Sequence, residues 1–287
     1  MIECMEPIQT PNVVKDEGFI HQIKWDGIRG IAVIDDGIVR LYNKSGIEST
    51  NRYSELSALT QNIEATHAVL DGEIVSFSEG KPSFYQVLRR SLSKKADSSA
   101  RYPVRYVVFD MLFFNHSDIR SFTLEKRQQI LKENFRDSAV AAQADSFSDG
   151  ESLYALMKRE SMEGIVSKRL NSQYTGGKYH ADWFKTKITR KLLCAITGVN
   201  YKNGLPSSLS LGIFREDTLI PVGDVGSGLK NEDLSVLSKE IKPGQKPIIS
   251  CWVRFSEWTP SGTLRHPVFI GFSSASPQEA TGEEVSL

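Results

Sequence analysis

The chain has 287 residues, of which 40% are hydrophobic and 24% are charged, the composition of an ordinary globular protein with a sizeable core. A chain of this length exceeds the usual size of one domain and predicts two. Lysine and arginine total 35 and aspartate and glutamate total 35, so the overall charge excludes the basic excess typical of nucleic-acid binders.

The N-terminal region and the cysteines indicate where the protein works. MIECMEPIQT has neither the basic nor the apolar region of a signal peptide, and no apolar run of about 18 residues is present to span a membrane. Cys4, Cys194 and Cys251 are far apart and form no C-x-x-C pair, which argues against a zinc site or a disulfide framework. We expect a cytoplasmic protein with no membrane partner.

The first 190 residues alternate strand and helix patterns. GFIHQIKWDGIRGIAVIDDGIVRLYNKSG alternates apolar and polar residues around an Asp-Asp-Gly turn, which predicts a β-hairpin. Four more segments predict strands: HAVLDGEIVSF, YPVRYVVFDMLFF, EGIVSKRL and ADWFKTK. Four segments predict helices: residues 54–63, FYQVLRRSLSK with Ser83 as N-cap, TLEKRQQILKENF, and the segment after a capping box of Ser148 and Glu151.

After Lys191 the pattern changes to short strands separated by Gly, Pro, Asn and Ser. LLCAITGVNY, SLSLGIFRE, LIPVGDVGS and PIISCWVRFSEW predict strands, and NEDLSVLSKEI predicts one helix among them. Such a set fits a small Greek-key barrel of the OB type. The sequence therefore predicts one domain over residues 1–189 and a second over residues 190–287.

The stretch KWDGIRG, residues 24–30, places Lys24, Asp26 and Arg29 close together after an apolar segment. A K-x-D-G-x-R match arises by chance in roughly one chain in several hundred of this length. Taken alone, the stretch leaves open whether Lys24 is a solvated charge at a hairpin or a reactive group.

Five further blocks follow in the chain: LDGEIV (70–75), VVFDML (107–112), EGIVSKR (163–169), WFKTK (183–187) and EWTPSGTLRHPVFIG (257–271). With these blocks the chain resembles the covalent nucleotidyltransferases, and within that superfamily the ATP-dependent DNA ligases. It is most similar to the ligase modules of bacterial end-joining enzymes. The resemblance covers nearly the whole chain, and six blocks in the family's order are not a chance result.

The resemblance implies an α+β fold: a nucleotidyltransferase domain (ATP-grasp-like, antiparallel sheets with helices) followed by a small OB-fold β-barrel. It implies an enzyme that seals 5′-phosphate/3′-hydroxyl nicks in duplex DNA through a covalent lysyl-AMP intermediate, in DNA repair, with ATP and Mg²⁺ or Mn²⁺. It further implies a monomer associated with the nucleoid, and leaves open a DNA end-binding or polymerase partner.

The resemblance also assigns roles to individual residues. Lys24 is the expected nucleophile, and because only a neutral amine attacks phosphorus, positive charge from Lys185 and Lys187 is expected to favour its uncharged form. Asp26 is expected to orient Lys24. The expected contacts to ATP or AMP come from Gln22, Ile23, Arg29, Glu73, Phe109 and Lys168. Glu73 and Glu163 are the expected metal ligands.

DNA contact is expected from a local basic patch. Residues 81–95 carry five basic and no acidic residues, which is typical either of a solvated helix face or of a surface for DNA phosphates. Arg89, Arg90 and Lys94 in this patch, together with Lys44, are the predicted DNA ligands. Lys44 stands where the family usually has Arg, which removes a bidentate phosphate contact.

The C-terminal region departs further from the family pattern. After HPVFIGF many relatives carry an R-x-D-K block that orients pyrophosphate during self-adenylation, whereas this chain has SSASPQEA. The departure calls the first reaction step into question and supports the second of two alternatives that stay open beside DNA ligation. One is RNA ligation or RNA capping, and the other is a non-catalytic nucleic-acid-binding relative.

Overall fold

The computed structural model describes residues 2–93, 101–241 and 247–286, and the chain divides into two compact units, residues 1–188 and residues 189–287. No helix among the described residues combines the length and the apolarity needed to cross a bilayer.

The first unit contains eleven strands and three α-helices among its described residues. The strands are β1 (Glu6–Gln9), β2 (Phe19–Ile23), β3 (Ile28–Asp35), β4 (Ile38–Asn43), β5 (His67–Ser78), β6 (Lys81–Pro82), β7 (Val104–Phe114), β8 (Ser117–Asp118), β9 (Ala141–Gln143), β10 (Gly164–Arg169) and β11 (Tyr179–Lys187). The helices are α1 (Phe84–Leu92), α2 (Leu124–Asn134) and α3 (Gly150–Arg159), with 3₁₀ turns at Thr50–Arg52 and Ser54–Gln61.

The strands of the first unit form two sheets. A seven-stranded sheet has the order β4-β3-β5-β7-β8, with β6 beside β5 and β9 parallel to β7. A four-stranded sheet has the order β1-β11-β10-β2, in which only β1 and β11 run parallel. Chain connections cross from one sheet to the other, and Lys24 lies in the crossing between β2 and β3.

The central strands of the larger sheet bury both faces. On one face Ala32, Leu70 and Val108 belong to a large apolar cluster, whereas Ile31 and Val69 on the other face pack with residues that include Trp183 of β11. Alternate residues of one strand point to opposite faces, so each strand supplies both clusters. The second face joins the larger sheet to the smaller one, and the cavity described below lies between them.

The second unit contains eight strands and one α-helix among its described residues. They are β12 (Arg190–Lys202), β13 (Leu205–Arg215), β14 (Thr218–Val225), β15 (Ser250–Phe255), β16 (Glu257–Trp258), β17 (Leu264–Arg265), β18 (Val268–Ser273), β19 (Glu284–Ser286) and α4 (Asn231–Glu240), with a 3₁₀ turn at Pro277–Glu279. A six-stranded antiparallel sheet, β14-β13-β12-β15-β18 with β19 beside β12, surrounds an apolar core that includes Leu234 and Leu237 of α4.

The predicted α+β class is confirmed, but three local predictions need correction. The hairpin consists of β3 and β4 alone, because β2 belongs to the other sheet. Residues 54–61 form a 3₁₀ helix. Helix α3 is capped by Asp149, which accepts a hydrogen bond from the Ser152 backbone N–H, so Ser148 is not the cap. Ser83 does cap α1 as predicted, accepting from Gln86.

Candidate active site

A cavity of about 200 Å³, open to solvent, lies between the two sheets of the first unit. All six predicted nucleotide ligands line it, together with residues that the sequence did not single out. The lining residues are Glu6, Pro7, Gln22, Ile23, Lys24, Trp25, Arg29, Lys44, Glu73, Phe109, Ala144, Val166, Lys168, Trp183 and Lys185.

Lys24 shares one carboxylate with a second lysine. Its Nζ lies 2.5 Å from Oε2 of Glu163, and the Nζ of Lys187 lies 3.0 Å from Oε1 of the same group. Burial alone would raise the pKa of Glu163, but Lys24 and Lys187 outweigh burial and hold the pKa below its ordinary value. Burial, Lys24 and Lys187 lower the pKa of Lys185. The Glu163 carboxylate thus pairs with the ammonium groups of both Lys24 and Lys187.

Two glycines let the backbone bring these groups together. A side chain on Gly27 would place its Cβ 2.4 Å from the carbonyl oxygen of Ile74 and 2.8 Å from Cγ of Glu73, so only glycine lets the loop after Lys24 lie against β5. Gly164 has φ +142° and contacts β11. Its carbonyl accepts the backbone N–H of Lys24 at 2.9 Å, which fixes the Lys24 backbone beside Glu163.

Glu73 enters the cavity from the larger sheet. No hydrogen bond or ion pair of the described residues reaches its carboxyl group. Burial raises the pKa of Glu73 from an ordinary 4.5 to about 8, although Lys24 and Arg29 act in the opposite direction. The group is therefore a carboxyl without a protein partner, placed beside a cluster of cations.

Arg29, in contrast, has nearly all of its donors engaged. Its Nε and Nη2 bind Asp71 at 2.9 and 2.6 Å, and its Nη1 donates to the Met5 carbonyl at 2.8 Å. The Tyr174 hydroxyl donates to Asp71 at 2.6 Å and accepts the Met5 backbone N–H at 3.0 Å. Burial and Asp71 raise the pKa of Tyr174 above its usual range, so the hydroxyl keeps its proton. This arrangement leaves Arg29 little capacity to bind a phosphate directly.

Lys168 is buried between two aromatic rings. Its Nζ lies 4.2 Å from the ring centroids of both Phe109 and Trp183, and it donates to the Phe109 carbonyl at 3.3 Å. Burial lowers the pKa of Lys168 from 10.5 to about 7, against the opposing effect of Asp110 and Asp71. Lys168 thus lines the cavity beneath the aromatic rings of Phe109 and Trp183.

The aromatic wall is held from behind by α2. Gln128 donates to the Phe109 carbonyl at 2.8 Å. The next residue, Asp110, forms a two-point ion pair with Arg127 at 2.8 Å for both contacts, and both side chains are fully buried. Phe109 therefore faces the cavity from a strand that cannot shift without breaking a buried ion pair.

Gln22 offers a buried acceptor on the β2 side. Its Nε2 donates to the Ser146 hydroxyl at 3.0 Å, whereas its Oε1 has no hydrogen-bond partner among the described residues. Ile23, the next residue, also lines the cavity. An unpaired buried acceptor is costly unless a ligand satisfies it.

The predicted DNA ligands lie in different environments. Lys44 is exposed at the cavity and pairs with Glu6 at 2.8 Å, and Arg89 is exposed on α1 with its guanidinium stacked on Tyr85. Arg90 does not fit the predicted role, because it is 2% exposed and binds Glu55 at 2.6 Å and the Arg52 carbonyl at 2.7 Å. Lys94 lies outside the described residues.

Asp26 is the one predicted catalytic residue of the K-x-D-G-x-R stretch that does not line the cavity, in the part of the chain that the structure describes. Asp71, Tyr174 and Trp183 are the main residues that sequence reasoning missed. Asp71 stands inside the LDGEIV block and Trp183 begins WFKTK, so two of the three lay within blocks already recognised.

In the first unit, two sheets form the walls of a cavity with a lysine, carboxyl groups and an aromatic wall. This arrangement defines the nucleotidyltransferase fold. An antiparallel sheet domain follows it in the chain. The family model described as "ATP dependent DNA ligase domain" matches residues 4–187, and "ATP dependent DNA ligase C terminal region" matches residues 202–274. The chain belongs to the ATP-dependent DNA ligase domain family.

Individual relatives agree with this membership. The "Multifunctional non-homologous end joining DNA repair protein LigD" of Mycobacterium tuberculosis is 30% identical over 274 residues, 86% of this chain and 35% of that protein. The "Bifunctional non-homologous end joining protein LigD" of Bacillus subtilis is 25% identical over 95% of this chain and 49% of its own length. The chain thus spans about a third to a half of the curated relatives it matches.

The solved structures show the same architecture over both units. The crystal structure of the ligase domain of M. tuberculosis LigD has 26% identity and a TM-score of 0.60, with 98% of each chain covered. A Lig E DNA ligase has a TM-score of 0.70 at 16% identity, which shows the fold alone. The predicted fold class, a nucleotidyltransferase domain followed by an OB-type domain, is confirmed. The comparisons give no support to RNA ligation or capping.

Proposed function

We propose that this chain seals nicks in duplex DNA and that Lys24 carries AMP between ATP and the nick. The observation that carries the proposal is the cluster of Lys24, Lys187 and Glu163, in which Lys24 lines a cavity that Gln22, Phe109 and Glu73 also line. Although the whole chain is neutral, lysines outnumber ionised carboxylates here while Glu73 stays protonated. A polyphosphate supplies the missing negative charge.

In the first proposed step the neutral Lys24 amine attacks the α-phosphorus of ATP. A phosphorus–nitrogen bond forms, the bond to the β-phosphate oxygen breaks, and pyrophosphate and the amine proton leave. Lys185 and Lys187 stabilise the phosphate charge. The AMP then passes to the 5′-phosphate at the nick, and attack by the 3′-hydroxyl seals the strand and releases AMP. The unpaired Oε1 of Gln22 is suited to accept the exocyclic amino group of adenine, while Phe109 offers its ring as a stacking surface.

The carboxyl groups fit a divalent cation. The carboxyl group of Glu73 has no protein partner among the described residues, and the carboxylate of Glu163 pairs in that part of the chain with two exchangeable ammonium groups. Such all-oxygen donors suit Mg²⁺ or Mn²⁺, which when bound would neutralise charge on the phosphates. A cation held by Glu163 would compete with Lys24 for this carboxylate.

DNA contact and cellular setting extend the proposal. Lys44 and the exposed Arg89 are proposed to bind phosphates flanking the nick, without reading sequence. Because the named relatives are non-homologous end-joining proteins, we propose a role in cytoplasmic, nucleoid-associated repair of DNA ends, beside an end-binding or polymerase partner. Faster joining of double-strand ends when an end-binding protein is added would support this setting.

The test is incubation of the full chain with α-labelled ATP and Mg²⁺, followed by mass analysis of the labelled peptide. Wild type is expected to gain one adenylate on Lys24, Lys24→Ala none, and the matched control Lys15→Ala, at an exposed lysine paired with Glu151, as much as wild type. Sealing of pre-adenylated nicks is measured in parallel. Sealing without labelling would refute self-adenylation, and failure of both reactions would refute the proposed function.

A further inference from the structure

At the end of the seven-stranded sheet remote from the cavity, one aspartate and two histidines come together. Asp35 ends β3 directly opposite His67, the first residue of β5, and His116 lies in the turn between β7 and β8. One nitrogen or carboxylate oxygen of each side chain lies within 4.8 Å of the others. Along β5, His67 is separated from Glu73 by roughly 20 Å, at about 3.3 Å per residue. The cluster is therefore not part of the cavity.

The backbone fixes the three side chains at this place. The Asn115 backbone N–H donates to the His67 carbonyl at 2.8 Å, and the Asn115 side chain accepts the Thr66 backbone N–H at 3.2 Å. Asn115 and His116 have φ of +45° and +64°, a left-handed conformation that is uncommon outside glycine. The turn thereby holds the His116 ring over His67 despite an unfavourable backbone conformation.

The two imidazole rings lie side by side, and one of their nitrogen atoms is buried without a partner among the described residues. The ring centroids of His67 and His116 are 4.7 Å apart with 20° between the planes, and Phe113 packs edge-on against His67. Nδ1 of His67 is buried and has no hydrogen-bond partner among the described residues. Buried polar atoms are nearly always paired, so this nitrogen points to a ligand.

We propose that Asp35, His67 and His116 bind a first-row transition-metal dication such as Zn²⁺. Two imidazole nitrogens and one carboxylate suit zinc, cobalt or nickel, whereas Mg²⁺ prefers oxygen ligands only. Bonds of about 2.0–2.1 Å place tetrahedral ligand atoms roughly 3.3 Å apart. Small rotations of the three side chains therefore bring their ligand atoms to this separation. His116 is exposed and has room to turn out of the stack. Three protein ligands leave one position for water.

Such an ion joins three separate connections of the first unit. It ties the end of β3, the start of β5 and the turn between β7 and β8, which are far apart in sequence. A ligand that binds the folded state alone stabilises it by mass action. Because the cluster is far from Lys24, the ion acts on stability and not on chemistry.

The experiment uses the full chain without a histidine tag, freed of metal by a chelator and titrated with Zn²⁺, Co²⁺ or Mg²⁺. We expect one equivalent of Zn²⁺ to bind, visible absorption bands for Co²⁺, and a Tm raised by roughly 5 °C at saturating zinc. Mg²⁺ is expected to do none of this at the cluster.

The variants His116→Asn and Asp35→Asn are expected to lose zinc affinity at least tenfold. The matched control is His266→Asn, because His266 is also exposed and left-handed, with φ +51°, but lies in the second unit. Asparagine tolerates this backbone conformation, so folding is retained in both histidine variants. Wild-type protein that binds no zinc, or His116→Asn that binds it as tightly as His266→Asn, overturns the proposal. Should one variant misfold, the other variant and the cobalt spectrum of wild type still decide.

Discussion

Two carboxyl groups on neighbouring strands of one sheet, the buried Asp110 and the half-buried Glu73, have opposite surroundings. Asp110 is closed off by the two-point ion pair with Arg127, and neither side chain is exposed. Glu73 has no such partner, and burial raises its pKa to about 8. The protein neutralises the first charge itself and leaves the second for a ligand. We therefore propose that the first serves the architecture and the second serves the substrate.

The largest expected effect follows from breaking the buried ion pair between Asp110 and Arg127. Asp110→Asn leaves the Arg127 guanidinium buried without its counter-charge, which typically costs about 3–5 kcal/mol of unfolding free energy. Urea unfolding of the purified chain measures the change. The matched control is Glu64→Gln, which removes an exposed partner of Arg136 at 3.7 Å and is expected to cost about 0–1 kcal/mol. Equal losses of unfolding free energy in the two variants would contradict the expected difference between the buried and the exposed ion pair.

The same chemical change at Glu73 is expected to act on activity and not on folding. Glu73→Gln keeps the shape of the protonated group but offers no carboxylate, so adenylation of Lys24 should fall roughly 100-fold, of the order lost with one electrostatic stabiliser. Single-turnover labelling with α-labelled ATP measures this rate. A variant that labels at the wild-type rate would show that the unpaired carboxyl is not reserved for the substrate.

The pH dependence of stability should separate Glu73 from an ordinary surface acid. Its folded pKa of about 8 exceeds the ordinary 4.5, so the folded state keeps a proton that the unfolded chain has lost at intermediate pH. The contribution is fully present below pH 4.5 and is lost as pH rises through 8. Relative to wild type, Glu73→Gln should therefore gain a few degrees of Tm at pH 9 compared with pH 5. Curves of Tm against pH that run parallel for wild type and Glu73→Gln would contradict the raised pKa of Glu73.

These contrasts mark what the sequence reveals. Lys24, Glu73 and Glu163 could be singled out as candidates because each stands in a signature block. Tyr174 was not, because its contact with Asp71 joins residues 103 positions apart and depends on how the two sheets meet. Nothing in a linear pattern distinguishes a carboxyl group that finds an arginine from one that finds none.

Arg89 and Arg90 show the same limit on one helix. Successive helical residues point about 100° apart, so one of two adjacent arginines can face inward while the other faces solvent. Val87 and Arg90 are the buried residues of α1, and their spacing of three was the available signal. The sequence indicated a basic patch, but only the fold shows which charges it exposes.

The smallest expected effect concerns these two arginines. Arg89→Ala should weaken binding to nicked DNA a few-fold and reduce the salt slope by about one, because one phosphate contact is lost. Arg90→Met should leave the salt slope unchanged and instead lower the free energy of unfolding, because Glu55 loses its partner. Binding is measured by fluorescence anisotropy over a range of salt concentrations. A larger change of the salt slope for Arg90→Met than for Arg89→Ala would show that Arg90, and not Arg89, contacts DNA phosphates.

The position of Lys24 in the crossing between the two sheets has a further consequence. Its backbone is tied to Gly164 in the smaller sheet, while Gly27 holds the following loop against β5 of the larger sheet. The reactive amine and Glu73 are thus aligned only while the sheets stay in register. A thermal fluctuation that parts the sheets by a fraction of a bond length misaligns the amine, although every strand remains paired. Heating should therefore abolish the activity of such an enzyme before the chain unfolds. Tightening the crossing is the natural target for engineering a more heat-resistant variant.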